Sequence, residues 1–136
     1  MPAILEASAA CAWLFRDERT PQAVQLEAWV VENGAYVPPL WALEVANVLV
    51  LAARKGRIDQ ADVTGSLARL ARLGIMPSPH QPEIQRVAEL ATKHGLTTYD
   101  ALYLAHAMAL QLPLASLDRD LTAAARAEAV TVLGTS

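Results

Sequence analysis

Four acidic residues of this sequence lie where carboxylates can serve a reactive site. Glu6 ends the first apolar segment, Asp118 follows "LASL", Glu44 lies inside "LWALEVANVLVL", and Asp100 stands at the entrance of "DALYLAHA". Carboxylates that meet at one place repel one another unless a cation lies between them. Oxygen-only ligands suit Mg²⁺ or Mn²⁺ rather than zinc. An ion held in this way can align a phosphodiester and neutralise its growing charge during hydrolysis.

Each of these acids also has an ordinary structural explanation. Glu6 can be a solvent-exposed strand end, and Asp118 can cap the helix that follows it. Thr97 and Asp100 fit the spacing of a capping box, in which the carboxylate is also favoured by the helix dipole. Because capping holds a carboxylate rigidly, capping and a role in a site are compatible.

Glu44 is harder to explain as an ordinary residue. No Lys or Arg lies within two helical turns, so no local ion pair is available to it. An unpaired buried carboxylate is costly. Glu44 must therefore bind a metal, pair with a distant cation, become protonated, or reach past the helix edge to water. Asn47 lies on the same helical face and could orient Glu44 or a bound water, although such an Asn more often bonds the backbone.

The remaining sequence alternates short apolar segments with helical patterns. The predicted strands are "AILEA", "AYV", "IMP", "PLASL" and "VTVLG". The first predicted helix is capped by Ser8 and runs to Arg16, and another runs from Asp59 to Gly74. The other predicted helices are "TPQAVQLEAWVVENG", "LWALEVANVLVLAARKG", "QPEIQRVAELATKHG", "TTYDALYLAHAMALQL" and "DRDLTAAARAEA".

This alternation predicts an α/β fold with a parallel sheet flanked by helices on both faces. Strands buried on both sides show apolar runs, as in "PLASL" and "VTVL". Ligands of such sheets bind outside the carboxyl ends of the strands, which is where Glu6 and Asp118 fall.

Length and composition narrow the class of protein. The chain has 136 residues, 54% of them hydrophobic, which suits one domain spanning residues 1–136. No apolar run reaches the roughly 18–20 residues of a membrane span. "MPAILEAS" lacks the basic and long apolar parts of a secretory signal, and the single Cys11 cannot form an internal disulfide. We therefore expect a cytoplasmic protein without a membrane partner, in which Cys11 is a core residue.

The charge balance argues against nucleic acid when it is taken over the whole chain. The net charge is −3, from 14 acidic and 11 basic residues. If four acids converge on a cation, 14 minus 4 leaves 10 acidic against 11 basic residues, and the remainder is roughly neutral.

Four segments resemble, in order, the motifs of PIN-domain ribonucleases, and in particular VapC-type toxins of bacterial toxin–antitoxin pairs. They are "AILEASA", "PPLWALEVANVL", "TTYDALYLAHA" and "LASLDRDL". The resemblance implies a three-layer α/β/α fold with a parallel sheet and a Mg²⁺- or Mn²⁺-dependent endoribonuclease. It also implies a homodimer, inhibition by a cognate antitoxin peptide, a structured RNA substrate such as a tRNA, and contact with DNA only through the antitoxin.

Carried over by motif, the resemblance assigns the site residues. The catalytic acids are Glu6, Glu44, Asp100 and Asp118, and those that bind metal are Glu6, Asp100 and Asp118. Ser8 and Asp120 are supporting residues, together with Asn47 from the helical spacing.

Glu6 departs from the family, which has Asp at the first acidic position. The extra methylene displaces the carboxylate by about one bond, whereas metal sites tolerate errors of only a few tenths of an ångström. We therefore expect a weakened nuclease. An alternative is a catalytically inactive PIN-like module that binds an antitoxin and cuts nothing. A phosphoacceptor domain is a weaker alternative, because both lysines, Lys55 and Lys93, lie near helix ends.

Other residues complete these expectations. The first two helical regions carry apolar residues beyond what one core needs, which predicts that they form the dimer surface: Trp13, Leu14, Leu26, Trp29 and Val30. Candidates for contacts with the RNA backbone are Arg16, Arg19, Arg54, Lys55, Arg57 and Arg119. Tyr99 and Tyr103 are interpreted as packing residues.

Overall fold

A five-stranded parallel sheet organises residues 1–134, the part of the chain that this computed structural model describes. Its spatial order is β3-β2-β1-β4-β5, and every neighbouring pair is parallel. The strands are β1 (Ala3–Leu5), β2 (Ala35–Val37), β3 (Ile75–Pro77), β4 (Leu114–Ala115) and β5 (Val132–Leu133). All five lie within the predicted segments.

Seven α-helices in residues 1–134 connect and cover these strands. They are α1 (Ala7–Cys11), α2 (Pro21–Asn33), α3 (Leu40–Arg54), α4 (Asp62–Ala71), α5 (Ile84–His94), α6 (Thr98–Leu110) and α7 (Arg119–Ala127). Helices flank the sheet on both faces, so the three-layer α/β/α architecture and the parallel sheet are confirmed.

The central strand β1 explains why apolar runs mark the strands of this chain. Its Ile4 pairs with Tyr36 of β2 on one side and with Leu114 of β4 on the other. Ile4 has no exposed surface, and neither does Leu104 of α6. A strand covered by helices on both faces has no solvent side, so apolar residues are favoured at every position.

The predicted helix from Ser8 to Arg16 is wrong at both ends. Glu6 rather than Ser8 is the N-cap, and α1 stops at Cys11. The chain then turns, and a single turn of 3₁₀-helix covers Arg16–Glu18. Ser8 therefore lies inside the first turn of α1, where its backbone N–H faces the cap.

Long-range contacts to one carbonyl hold this turn in place. The Trp13 carbonyl accepts hydrogen bonds from Arg19 at 3.0 Å and from Arg69 at 2.8 Å. Both guanidinium groups also pair with Glu27, at 3.2 and 3.0 Å. These contacts join the turn to α2 and α4, and helical periodicity cannot reveal them.

Two other helices are shorter than predicted. α4 begins at Asp62 rather than Asp59 and ends at Ala71, before Gly74. α5 begins at Ile84, after Pro82. Proline disfavours helical geometry in the residue before it, so the segment that begins at Gln81 enters the helix late.

The apolar residues expected to form a dimer surface lie mainly in the core. Trp13 and Val30 have no exposed surface and Leu26 has 2%. The basis of that prediction is therefore wrong. Large exposed apolar side chains occur instead on α3, where Leu43 is 69% exposed and Leu51 is 39% exposed. In residues 1–134 no helix has the length and apolar character needed to cross a membrane.

The cap of α2 gives a test of the fold. Thr20 Oγ1 accepts the Ala23 N–H at 3.1 Å at the start of this helix. We expect Thr20→Ala to lower the free energy of unfolding by about 1 kcal/mol, whereas Thr20→Ser retains the bond. Urea denaturation followed by circular dichroism measures both variants. Equal losses for Ala and Ser would contradict a capping role.

Candidate active site

Glu6 follows the central strand and is buried, with 5% of its surface exposed. Its carboxylate accepts hydrogen bonds from the Ser8 N–H at 2.5 Å, the Ser8 hydroxyl at 2.6 Å and the Ser116 hydroxyl at 2.8 Å. The interpretation of Glu6 as a solvent-exposed strand end is therefore wrong. Three neutral donors fix this carboxylate at the carboxyl edge of the sheet.

Ser116 connects two of the acids and was missed by the sequence reasoning. This fully buried residue follows β4, donates its hydroxyl to Glu6 and accepts the Asp118 N–H at 3.1 Å. A serine within "LASLD" is the only signal in the sequence. A serine in an otherwise apolar strand indicates a buried hydroxyl, and a buried hydroxyl needs hydrogen-bond partners.

Asp118 is the N-cap of α7, and its side chain accepts the Leu121 N–H at 2.8 Å. Its capping interpretation is confirmed, and its partial exposure leaves the carboxylate accessible. Asp120 lies in the first turn of the same helix and is exposed. The two carboxylates therefore flank the start of α7.

Glu44 is partly exposed on α3 and accepts a hydrogen bond from the Tyr103 hydroxyl at 2.5 Å. Tyr103 has no exposed surface, so its packing role is confirmed, and it also has a polar partner. Asn47 is exposed, and no hydrogen bond from it to Glu44 occurs within residues 1–134. The orienting contact expected from Asn47 is thus supplied by a residue on another helix.

Asp100 lies in the first turn of α6, and its backbone N–H bonds Thr97 Oγ1 at 3.1 Å, as capping predicts. Burial raises the pKa of Asp100, and the charge of Asp118 raises it further. Burial also raises the pKa of Glu6 and of Glu44, and Asp100 contributes to both increases. Asp100 is therefore the electrostatic neighbour that these acids share.

The thiol of Cys11 lies within the same electrostatic field. Its pKa is raised to about 12, first by burial and then by the charges of Glu6, Glu18 and Glu44. Cys11 is a buried core residue, as expected.

No Lys, Arg or His of residues 1–134 forms an ion pair with Glu6, Glu44, Asp100 or Asp118. The nearby Arg57 bonds Asp17 and Glu18 instead, at 2.8 and 2.6 Å, and stacks on Phe15. The acids are held by hydroxyl and amide donors alone.

The donor chemistry fits a hard divalent cation, because only oxygen atoms are offered and their charges are unpaired. Within residues 1–134, however, no three His, Cys, Asp or Glu side chains are arranged to hold a metal ion. Glu6 is committed to Ser8 and Ser116. An ion that keeps several waters and takes one or two carboxylates directly needs no ready-made cage, and Mg²⁺ binds in that way.

An open cleft of about 600 Å³ adjoins Asp118, one of the four acids. The polar side chains in its lining are Ser8, Asp17, Glu18, Thr20, Gln22 and Asp118. The cleft gives solvent access to the start of α7 and to the first turn of α1. Of the acids in this lining, Asp17 and Glu18 are paired with Arg57, and Asp118 has no basic partner within residues 1–134.

Comparisons with known proteins agree with this fold. Residues 3–127 match the PIN domain family. The chain belongs to that family. Its relatives include Ribonuclease VapC3 of Pyrobaculum aerophilum, 32% identical over 123 residues, which cover 89% of this chain and 92% of that protein. Ribonuclease VapC9 of Mycobacterium tuberculosis is 30% identical over 125 residues, 92% of each chain.

A solved structure gives the same result. The crystal structure of PAE2754 from Pyrobaculum aerophilum superposes with a TM-score of 0.71 at 27% sequence identity. The match covers 91% of this chain and 84% of that one. The five-stranded parallel sheet with its flanking helices is thus a PIN fold.

The raised pKa values give a test of cation binding. Glu6, Glu44 and Asp100 have folded-state pKa values above their ordinary values of 4.5, 4.5 and 3.8. Their charges cost stability at pH values above the raised pKa values, and the cost disappears as pH falls to the ordinary values. We expect Mn²⁺ to raise the melting temperature more at about pH 7.5 than at about pH 5, where protons compete.

Differential scanning calorimetry at the two pH values measures this effect. Asp100→Asn is the control and should shrink the shift at the higher pH. An equal shift at both pH values, or a full shift in the variant, would show that Mn²⁺ binds elsewhere.

Proposed function

We propose that this chain is a metal-dependent endoribonuclease toxin that hydrolyses RNA phosphodiester bonds and is neutralised by a cognate antitoxin. The observation that carries the proposal is a group of acids that hydroxyl and amide donors hold without a basic partner in residues 1–134. The similarity to proteins named Ribonuclease VapC supports RNA as the substrate.

Glu6, Asp100 and Asp118 are proposed to hold Mg²⁺ or Mn²⁺, one or two of them directly and the rest through water, and Glu44 completes the catalytic set. When bound, such an ion supplies a Lewis acid that offsets the negative charge of the scissile phosphate. The protein's contribution is orientation: Leu121 fixes Asp118 through a helix cap. Ser8 and Asp120 support the site from α1 and α7.

Glu6 is proposed to weaken the nuclease. Both of its oxygens are engaged, Oε2 by the Ser8 N–H and Oε1 by the Ser8 and Ser116 hydroxyls. To bind an ion, the Glu6 carboxylate would have to give up these hydrogen bonds or let the same oxygen atoms serve both the donors and the ion. Either requirement makes it a poor ligand. The same observation favours the second candidate function, a catalytically inactive PIN-like module that binds an antitoxin.

The acidic cleft is proposed to receive an Arg or Lys of the antitoxin peptide. Asp118 lines it without a basic partner in residues 1–134, whereas Asp17 and Glu18 already pair with Arg57, and carboxylates bind guanidinium groups through charge-assisted hydrogen bonds. Contact with DNA would then occur only through the antitoxin. The expected location is the cytoplasm.

The basic residues available to RNA are fewer than predicted. Arg19 and Arg57 are engaged by acidic side chains, which weakens their case as phosphate contacts. The exposed candidates that remain are Arg16, Arg54, Lys55 and Arg119. A structured RNA such as a tRNA is the proposed substrate, and phosphate contacts of this kind set affinity rather than sequence preference.

Residues 1–136 are proposed to form a single PIN-like domain that pairs as a homodimer. The exposed apolar side chains of α3, among them Leu43 and Leu51, supply a surface for a second copy. We expect light scattering at high micromolar concentration to give the mass of a dimer, and Leu43→Glu to give a monomer. Val31→Glu, at an exposed apolar site on α2, is the matched control. A monomeric starting chain would contradict the proposal.

The Glu6 proposal predicts a gain of function. We expect Glu6→Asp to raise Mn²⁺-dependent RNA cleavage by roughly 10- to 100-fold, because small misplacements at a reacting centre have effects of that size. Cleavage of a total tRNA pool, with EDTA as a control, measures the rate. Asp100→Asn in the Glu6→Asp background should abolish it.

The outcomes of this experiment separate the two candidate functions. If the original chain cuts well and Glu6→Asp cuts no better, Glu6 is a competent ligand and the attenuation proposal is wrong. If neither protein cuts RNA, the antitoxin-binding module is the better interpretation.

A further inference from the structure

Tyr103 is a buried residue of α6, and its hydroxyl donates a hydrogen bond to Glu44 of α3. We propose that Tyr103 is a positioning residue, which sets the orientation of the Glu44 carboxylate through this hydrogen bond. The inference rests on the proposed nuclease function, since it assigns a role within the same site.

The contact is a direct one between two helices. The Tyr103 hydroxyl donates to Glu44 Oε1 at 2.5 Å, and the two residues are 59 positions apart in the chain. Hydrogen bonds to an ionised acceptor are shorter and stronger than those between neutral groups. Because the bond uses one oxygen of Glu44, the second oxygen remains available for a water or an ion.

Tyr103 alone, among the side chains of residues 1–134, donates a hydrogen bond to Glu44. No ion pair to Glu44 exists there, and Asn47 is exposed without a bond to it. A glutamate side chain has several rotatable bonds, so one strong hydrogen bond can select a single rotamer of Glu44. Loss of the hydroxyl would leave the carboxylate free to turn away from Asp100.

The Tyr103 hydroxyl also lies close to the rest of the site. Its pKa is raised by burial, then by the hydrogen bond and charge of Glu44, and also by the charge of Glu6, while a hydrogen bond with the Ala7 backbone acts in the opposite direction. The group therefore stays protonated and remains a donor. Its oxygen thus lies at the junction of α1, α3 and α6, the helices associated with Glu6, Glu44 and Asp100.

Packing alone does not account for the hydroxyl. Tyr103 has no exposed surface, so its ring fills core space that a phenylalanine ring would fill equally well. Burial of a hydroxyl is costly unless it is hydrogen-bonded, and Glu44 is the side chain that receives this one. Tyr103→Phe therefore removes the contacts of the hydroxyl with Glu44 and with the Ala7 backbone and leaves the packed ring, and the Glu44→Gln background separates the two contacts.

The test is a double-mutant cycle in the full chain carrying Glu6→Asp. The four proteins are the parent, Tyr103→Phe, Glu44→Gln and the double variant, and Tyr36→Phe in β2 is the control. We expect Tyr103→Phe to lower kcat for Mn²⁺-dependent RNA cleavage by about 10-fold, with KM changed less than about 2-fold. In the Glu44→Gln background, the same change should have no further effect.

Two outcomes of the cycle would overturn the proposal. One is a kcat for Tyr103→Phe equal to that of the parent. The other is an equal loss in the presence and absence of Glu44, which would mean that Tyr103 acts through another group or through stability. Loss of activity in Tyr36→Phe would assign the effect to general packing, and would also count against a positioning role.

A second readout separates this proposal from the proposed function. Carboxyl ¹³C NMR of Glu-labelled protein at one fixed pH observes Glu44 directly, and the Glu44→Gln spectrum identifies its signal. We expect Tyr103→Phe to shift that signal and Tyr36→Phe to leave it in place. If no variant cuts RNA but this shift occurs, the nuclease function fails and the positioning role stands; an unshifted signal refutes the positioning role.

Discussion

Neutral donors hold the carboxylates of this site, and the arrangement of the site depends on that fact. Glu6 is bound by two serines and Glu44 by a tyrosine, while Asp118 accepts from a helix amide. A basic side chain in their place would cancel the charge and compete with any cationic ligand. Hydroxyls and amides instead orient each acid and leave its negative charge unpaired. Burial raises the pKa values of Glu6, Glu44 and Asp100, and the hydrogen bonds from the neutral donors offset only part of that increase.

The parallel sheet makes such an arrangement possible. β1 and β4 are neighbours with the same direction, so the residues that follow them meet at one edge although they are more than a hundred positions apart. Ser116 uses this proximity and bonds both Glu6 and the Asp118 amide. Helix starts contribute two further constraints, because the caps of α6 and α7 set the positions of Asp100 and Asp118. The scaffold therefore supplies orientation from backbone geometry before any metal or substrate is present.

Features that local sequence patterns encode could be predicted, whereas features that depend on contacts between distant residues could not. The five strands, the parallel sheet and the places of the four acids follow from apolar runs, helix periodicity and chain breaks. The contacts of Ser116 with Glu6 and of Tyr103 with Glu44 could not be predicted, because the partners lie 110 and 59 residues away and no spacing rule connects them. The turn that follows α1 is bonded through the Trp13 carbonyl to Arg69, which is 56 residues away and equally beyond local patterns. The surface assigned to the dimer was wrong for a related reason, since the burial of Trp13 reflects the whole core.

Glu6 caps α1, and under the proposed function the same carboxylate would also bind an ion, so the two roles would conflict. As the N-cap of α1 it satisfies the Ser8 amide, a group that would otherwise lack a partner at the helix start. Its added methylene lets one carboxylate reach both the amide and hydroxyl of Ser8 while still accepting from Ser116. Each of these bonds stabilises the fold and makes the oxygens poorer ligands. A shorter aspartate can cap through one oxygen and present the other, as Asp118 does at α7. Helix capping and ion binding thus compete for the same lone pairs, and side-chain length decides how they are shared.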